Sequence, residues 1–135
     1  MANKKRKRPN GTSNQNNQNN KSKNNKKNNN KKDRRKNMII ADIAVVPLRP
    51  YKGEEEMYKV VDACIEIIQN SGLNYEIGAM STTVEGEFDE VFEIIKKAHK
   101  LPFELGCERV ITTVRIDEKF GGLTINDKLK NHRQV

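Results

Sequence analysis

The sequence contains no tryptophan, and only three tyrosines and four phenylalanines in 135 residues. A chain so poor in rings has little with which to stack bases, which is how sheet-based RNA-binding modules hold single strands. Its two cysteines, Cys64 and Cys107, are far apart, which argues against a disulfide framework or a paired-cysteine zinc site. No run approaches the roughly 20 apolar residues of a membrane span, and the N-terminus has no apolar core of a secretory signal. The two histidines, His99 and His132, belong to no spacing expected of a nucleophile-base pair, a metal site or a phosphate loop. The expectations are therefore a cytoplasmic, non-catalytic protein without metal or cofactor.

Acidic residues are nearly missing from one end. Residues 1–37 carry 14 Lys and Arg but a single acid, Asp33, a net charge of +13. The remainder holds 12 of the 26 basic residues and 17 of the 18 acids, a net charge of −5. The overall basicity thus describes a tail and not a domain. The tail is rich in Asn and Lys and has no apolar periodicity, so it cannot bury enough surface to offset chain entropy, and disorder is expected. It reads first as a neutral low-complexity appendage; the functional alternative is an electrostatic arm for nonspecific phosphate contact with nucleic acid, RNA or DNA, or with anionic lipid. The expected boundary is at Met38, with one domain over residues 38–135.

Within that domain, Ile39 to Leu48 is apolar on both parities, as in a strand covered on both faces, and Pro47 and Pro50 are expected to end it. Glu54-Glu55-Glu56 begins a helix in which Met57, Val60, Val61, Cys64, Ile65 and Ile68 recur at helical spacing. Gly72 follows it in the usual post-helix position. Strands are expected over Leu73–Ala79 and up to Glu87. A second helix carries Phe88, Val91, Ile94, Ile95, Ala98, Leu101 and Leu105, with a kink expected at Pro102. Arg109 to Asp117 alternates as a fourth strand, and Thr124 to His132 suggests a short polar helix. The order β-α-β-β-α-β is the ferredoxin-like plan, an α+β sandwich with an antiparallel sheet.

Parity then divides the sheet. Ile39, Ala41, Ile43, Val45, Tyr75, Ile77, Val84, Val110, Val114 and Ile116 should face the helices. Asp42, Ala44, Val46, Glu76, Thr83, Glu85, Ile111, Thr113 and Arg115 should line an open, half-apolar face. Such a face usually has a partner, and a second copy is the simplest candidate, giving a homodimer or homotetramer.

The stretch Met80-Ser81-Thr82-Thr83-Val84-Glu85-Gly86-Glu87-Phe88-Asp89-Glu90-Val91 joins a strand to a helix. Gly86 is expected to permit a bend and Asp89 to cap the helix. Taken alone it is a strand-to-helix junction. With Ile43-Ala44-Val45-Val46-Pro47-Leu48, Ser71-Gly72-Leu73-Asn74-Tyr75-Glu76 and Gly106-Cys107-Glu108-Arg109-Val110, it resembles the small thiamine-binding proteins, the YkoF-like group. The resemblance spans residues 38 to about 130. It implies a ferredoxin-like fold, oligomers built through the sheets, and binding of thiamine or its hydroxymethylpyrimidine moiety without chemistry. The chain departs from the family pattern at Arg49-Pro50-Tyr51-Lys52 and at Asp117-Glu118-Lys119-Phe120-Gly121-Gly122.

A thiamine site needs a carboxylate, hydroxyls and an apolar wall. Glu85 is the expected partner for the cation or a ring nitrogen, and Thr82 or Thr83 for the pyrimidine edge. Met80 would be a pliable wall, and Asp42 shares the open face. The competing role for Glu85 is an ion pair across the sheet with Arg115.

Overall fold

The computed structural model describes residues 34–49 and 53–133. The basic tail up to residue 33, and the loop positions 50–52, lie outside them. Strand β1 (Met38–Arg49) leads to helix α1 (Glu54–Gln69), strands β2 (Asn74–Ile77) and β3 (Thr82–Glu87), helix α2 (Phe88–Glu104), strand β4 (Arg109–Asp117) and helix α3 (Ile125–Leu129). The strands form one sheet in the order β2-β3-β1-β4, and every neighbouring pair is antiparallel. This is the ferredoxin-like sandwich.

The core follows from the two periodicities. Ile39, Ala41, Ile43 and Val84 project from one sheet face and meet Ile68 of α1 and Val91 and Ile94 of α2. Cys64 is buried one turn from Ile68. Burial, with the charge of Cys107 adding to it, pushes its thiol up to about 11, so it is protonated at neutral pH and behaves as a small apolar residue.

Pro47 and Pro102 sit where the sequence suggests an interruption, and neither stops its element. Pro47 lies inside β1, beside a register shift between Pro47 and Arg49 and beyond the last β1–β3 pair at Ile43. A missing amide is tolerated at such an irregularity. Helix α2 continues past Pro102 to Glu104. The Pro102 ring is buried, and so close to the C-terminus only one interior hydrogen bond is lost.

Gly86 also has a different role from the expected bend. It lies within β3 opposite Ile39 and is not among the glycines with positive φ. A β-carbon there would stand 3.0 and 3.2 Å from the Leu73 methyls and 3.2 Å from a Val91 methyl. The position is small because the core is full. The helix starts at Phe88 without a loop, with Glu87 rather than Asp89 at its N-cap. Gly86→Val is expected to destabilise the fold by about 1–3 kcal/mol through overpacking, read as a lower urea midpoint at constant slope. An unchanged midpoint would show that the space is not limiting.

The face away from α1 and α2 is only partly open, because the C-terminal segment crosses it. Ile125 is 2% exposed, and Ile40, on that same sheet face, is buried too. Backbone and side chains fasten the crossing. Leu123 N donates to the Met38 carbonyl at 3.0 Å, Ile125 N donates to Glu85 Oε2 at 2.5 Å, and Lys128 pairs with Asp117 at 2.5 Å. Thr124 and Asp127 cap α3 reciprocally, so the helix is short but well started. The expected polar helix is thus an apolar-anchored strap.

Two residues ahead of the expected boundary touch this domain. Arg34 pairs with Glu90 at 3.1 Å, and Arg35 with Asp127 at 3.1 Å. A β-carbon on Gly122 would collide with the Arg35 carbonyl, so this close approach of backbone requires glycine.

Candidate ligand-binding site

The strand register places polar residues in rows across the sheet face. One row runs Glu76 on β2, Thr83 on β3, Asp42 on β1 and Arg115 on β4. The next runs Asn74, Glu85, Ile40 and Asp117. The strap crosses the second row and leaves the first half-buried beside it, with only Arg115 fully exposed. The result is a cavity of about 440 Å³ lined by Ile40, Asp42, Glu76, Ser81, Thr83, Arg115, Ile116, Asp117, Ile125, Lys128 and Leu129. Its volume suits a small heterocycle, and its lining mixes apolar walls with a few convergent polar groups.

Asp42 is the polar centre. Arg115 donates to its Oδ2 from Nη2 at 2.6 Å and from Nε at 3.2 Å. The Asp42 side chain is 19% exposed and that of Arg115 80%, so the acid is the fixed member and the guanidinium the movable one. Burial raises the pKa of this carboxyl, but hydrogen bonds from Ser81, Arg115 and Thr83, with the charge of Arg115, outweigh it and hold it below the ordinary 3.8. The stability these contacts give is present above the unfolded value and is lost as pH falls through the depressed one. Asp42 therefore stays ionised at neutral pH, with hydroxyls beside it.

The structure separates the five residues expected to form the site. Asp42 and Thr83 line this cavity. Glu85 is in the neighbouring row with both oxygens engaged, Oε1 by Asn74 at 2.9 Å and Oε2 by Ile125 N. Arg115 is bound to Asp42 and not to Glu85. Met80 and Thr82 line a different cleft, of about 130 Å³, between β1, α1 and the β2–β3 turn, with Ile43, Val45, Cys64 and Ile68 among its walls. Thr82 is buried there and Met80 exposed. That cleft is smaller, shares Ser81 with the larger cavity, and among its lining side chains offers only the Ser81 and Thr82 hydroxyls and no charged group.

Sequence reasoning missed Ser81, Ile125, Lys128 and Leu129 as lining residues. A signal for the last three was available: Thr124 and Asp127 have capping spacing, and Ile125 and Leu129 are four apart, one helical turn. His99 lies away from the cavity, with Nδ1 2.6 Å from the Thr112 hydroxyl. Among the described residues no cluster of His, Cys, Asp and Glu could hold a metal ion, and no helix is long and apolar enough to cross a membrane.

The class of protein is a ferredoxin-like α+β domain with a heterocycle-sized cavity of mixed polar and apolar walls on its sheet face. The family comparison makes this specific. Residues 41–133 match the thiamine-binding protein family, and the chain belongs to that family. A UPF0045 protein of Clostridium perfringens is 42% identical over 84 residues, 62% of this chain and 88% of its own. A UPF0045 protein of Methanocaldococcus jannaschii is 34% identical over 93 residues, 68% of this chain and 89% of its own. Among solved structures, a Bacillus cereus domain of unknown function superposes with a TM-score of 0.65 at 38% identity, covering 71% of this chain and 90% of that one. A proposed thiamine biosynthesis or salvage protein of Thermotoga maritima gives 0.64 at 33% identity, covering 71% and 99%.

Proposed function

We propose that this protein is a cytoplasmic, non-catalytic binding protein for thiamine or its hydroxymethylpyrimidine moiety, and that the ligand sits in the cavity between the sheet face and the strap. The observation that carries the reading is the row Glu76–Thr83–Asp42–Arg115 beside an apolar wall of Ile125 and Leu129, in a chain of the thiamine-binding family. An aminopyrimidine presents an amine donor and ring-nitrogen acceptors. Asp42 can accept from the amine, and the Ser81 or Thr83 hydroxyl can turn its one hydrogen from Asp42 to a ring nitrogen. The isoleucines and Leu129 can cover its faces. Nothing in this set activates a nucleophile or transfers a proton, so retention of the ligand is the proposed activity. Calorimetry of the full chain against thiamine, hydroxymethylpyrimidine and a nucleotide control tests this. Saturable binding of either of the first two, and not of the nucleotide, is the expected result. No heat with either would end the reading.

We also propose that the part of the sheet face beyond the strap joins subunits. Val46 and Ile111 are directly paired across β1 and β4 and are 44% and 47% exposed. Ala44 and Thr113 form the adjoining pair. A second copy laid on this patch would cover it symmetrically. Val46→Lys is expected to dissociate the assembly in light scattering while leaving the melting temperature of the domain nearly unchanged. A monomer in the unmodified protein would contradict the proposal.

A further inference from the structure

The strap that walls the cavity is held at its start by the last residues of the basic tail. Residues 34–36 are helical, closed by Asn37 N donating to the Arg34 carbonyl at 3.2 Å. From this turn Arg34 pairs with Glu90 of α2 and Arg35 with Asp127 of α3, each at 3.1 Å. The Arg35 carbonyl lies against Gly122, and the Met38 carbonyl accepts from Leu123 N. Asp127 is also half of the reciprocal cap on α3, so Arg35 holds the residue that starts the strap helix. Both arginine side chains are more than half exposed, so a second anion can reach them where they stand.

The same arginines finish a cationic run, Lys31-Lys32-Asp33-Arg34-Arg35-Lys36, and eleven of the 14 basic residues of the tail precede Arg34. A phosphate backbone binds such a series by neutralising successive cations, without sequence preference. The tail has no aromatic side chain and no apolar one beyond Met1, Ala2 and Pro9, while it is crowded with asparagine amides that can donate to phosphate oxygens. That chemistry fits a single-stranded nucleic acid, and it gives a bilayer no apolar face to bury. Arg34 and Arg35 cannot serve phosphates and carboxylates together. Residues 38–135 carry a net charge of −5, and phosphates brought beside Glu87, Glu90 and Asp127 meet like charge. The strand gains the two arginines only by drawing them off those acids.

We infer that a single-stranded nucleic acid bound along the tail draws Arg34 and Arg35 off Glu90 and Asp127 and loosens the strap, so that nucleic acid and cavity ligand weaken each other's binding. The effect on the ligand rests on the binding reading above; the effect on the strap does not. Ile125 stays buried and Lys128 stays on Asp117, so the strap loosens without leaving the sheet. By linkage the two bound molecules lower each other's affinity by the same factor.

Amide hydrogen exchange on the full chain, with and without a short oligothymidylate at low salt, reads the strap with no cavity ligand present. Residues 123–130 are expected to exchange about threefold faster in the complex, the size that losing exposed ion pairs allows, while β3 is unchanged. Calorimetry should show hydroxymethylpyrimidine binding about threefold more weakly to protein saturated with the oligonucleotide. Both effects should vanish at high salt, where the phosphate contacts are screened. The double variant Arg34→Ala, Arg35→Ala keeps the eleven upstream cations and should still bind the oligonucleotide. Its strap should exchange faster from the outset and no longer respond. Strap exchange unmoved in the complex would overturn the inference, as would a full response in the double variant or an oligonucleotide that does not bind. Loosening by phosphatidylserine vesicles and not by the oligonucleotide would assign the tail to membranes and overturn it as well. A strap response with no heat from hydroxymethylpyrimidine or thiamine would support the coupling of tail and strap and remove the binding reading alone.

Discussion

Asp42→Ala is expected to weaken binding of hydroxymethylpyrimidine and thiamine alike by about ten- to a hundredfold. A hydrogen bond to a charged partner is worth about 1.5–3 kcal/mol where water is largely excluded, and tenfold in affinity corresponds to about 1.4 kcal/mol. The Asp42 side chain is mostly covered and stays ionised beside Ser81, Thr83 and Arg115. Its removal takes away the acceptor for the ligand amine and the anchor of the guanidinium. The fold should survive. Asp42 points from the sheet face, the packed core is on the other side, and Arg115 is exposed enough to rehydrate. Asp42→Asn keeps the shape and one acceptor oxygen and should lose less affinity than alanine. Calorimetry of both variants, with circular dichroism to establish folding, checks this. A folded Asp42→Ala protein with unchanged affinity would move the site elsewhere.

Ile125→Ala should produce the second large effect, on stability and binding together. Ile125 is the one strap residue that is fully buried, and removing a buried isoleucine down to its β-carbon costs about 2–5 kcal/mol when the surroundings cannot collapse. A strap can detach instead of leaving a void, so the loss is capped at its own docking free energy. Detachment would expose Ile40, release Glu85 from the Ile125 amide, and remove the cavity wall formed by Ile125, Lys128 and Leu129. We expect a lower melting temperature, rapid amide exchange over residues 123–130, and ligand affinity reduced by at least about tenfold, since most of the ligand's apolar cover is lost. Fast exchange with full affinity would show that the strap is not part of the site.

The fold was legible because burial enforces its patterns. Alternation in Arg109–Asp117 and helical spacing from Met57 to Ile68 each have one solution that hides the apolar side, and parity assigned Asp42, Thr83 and Arg115 to one face correctly. What parity does not supply is register. It cannot say that Arg115 stands opposite Asp42 rather than Glu85, because both acids face the same way one row apart. The strap was hidden for a related reason. Its segment holds three apolar residues, Leu123, Ile125 and Leu129, among five polar ones, so its composition reads as solvated, and only the uncovered Ile40 shows why it docks. Gly86 was misread because a glycine required for space and one required for a turn are identical in sequence. Met80 and Thr82 were grouped with Thr83 through adjacency, although neighbouring strand residues point to opposite faces.

The central claim is that the ligand lies between the sheet face and the strap, and an amide-resolved NMR titration with hydroxymethylpyrimidine tests it most directly. The account predicts that shifts concentrate at Asp42, Ser81, Thr83, Ile125 and Lys128, while Cys64, Ile68 and Gly78 stay still. Shifts gathered around Cys64, Ile68 and the Gly78–Met80 turn would put the ligand in the apolar cleft and contradict it.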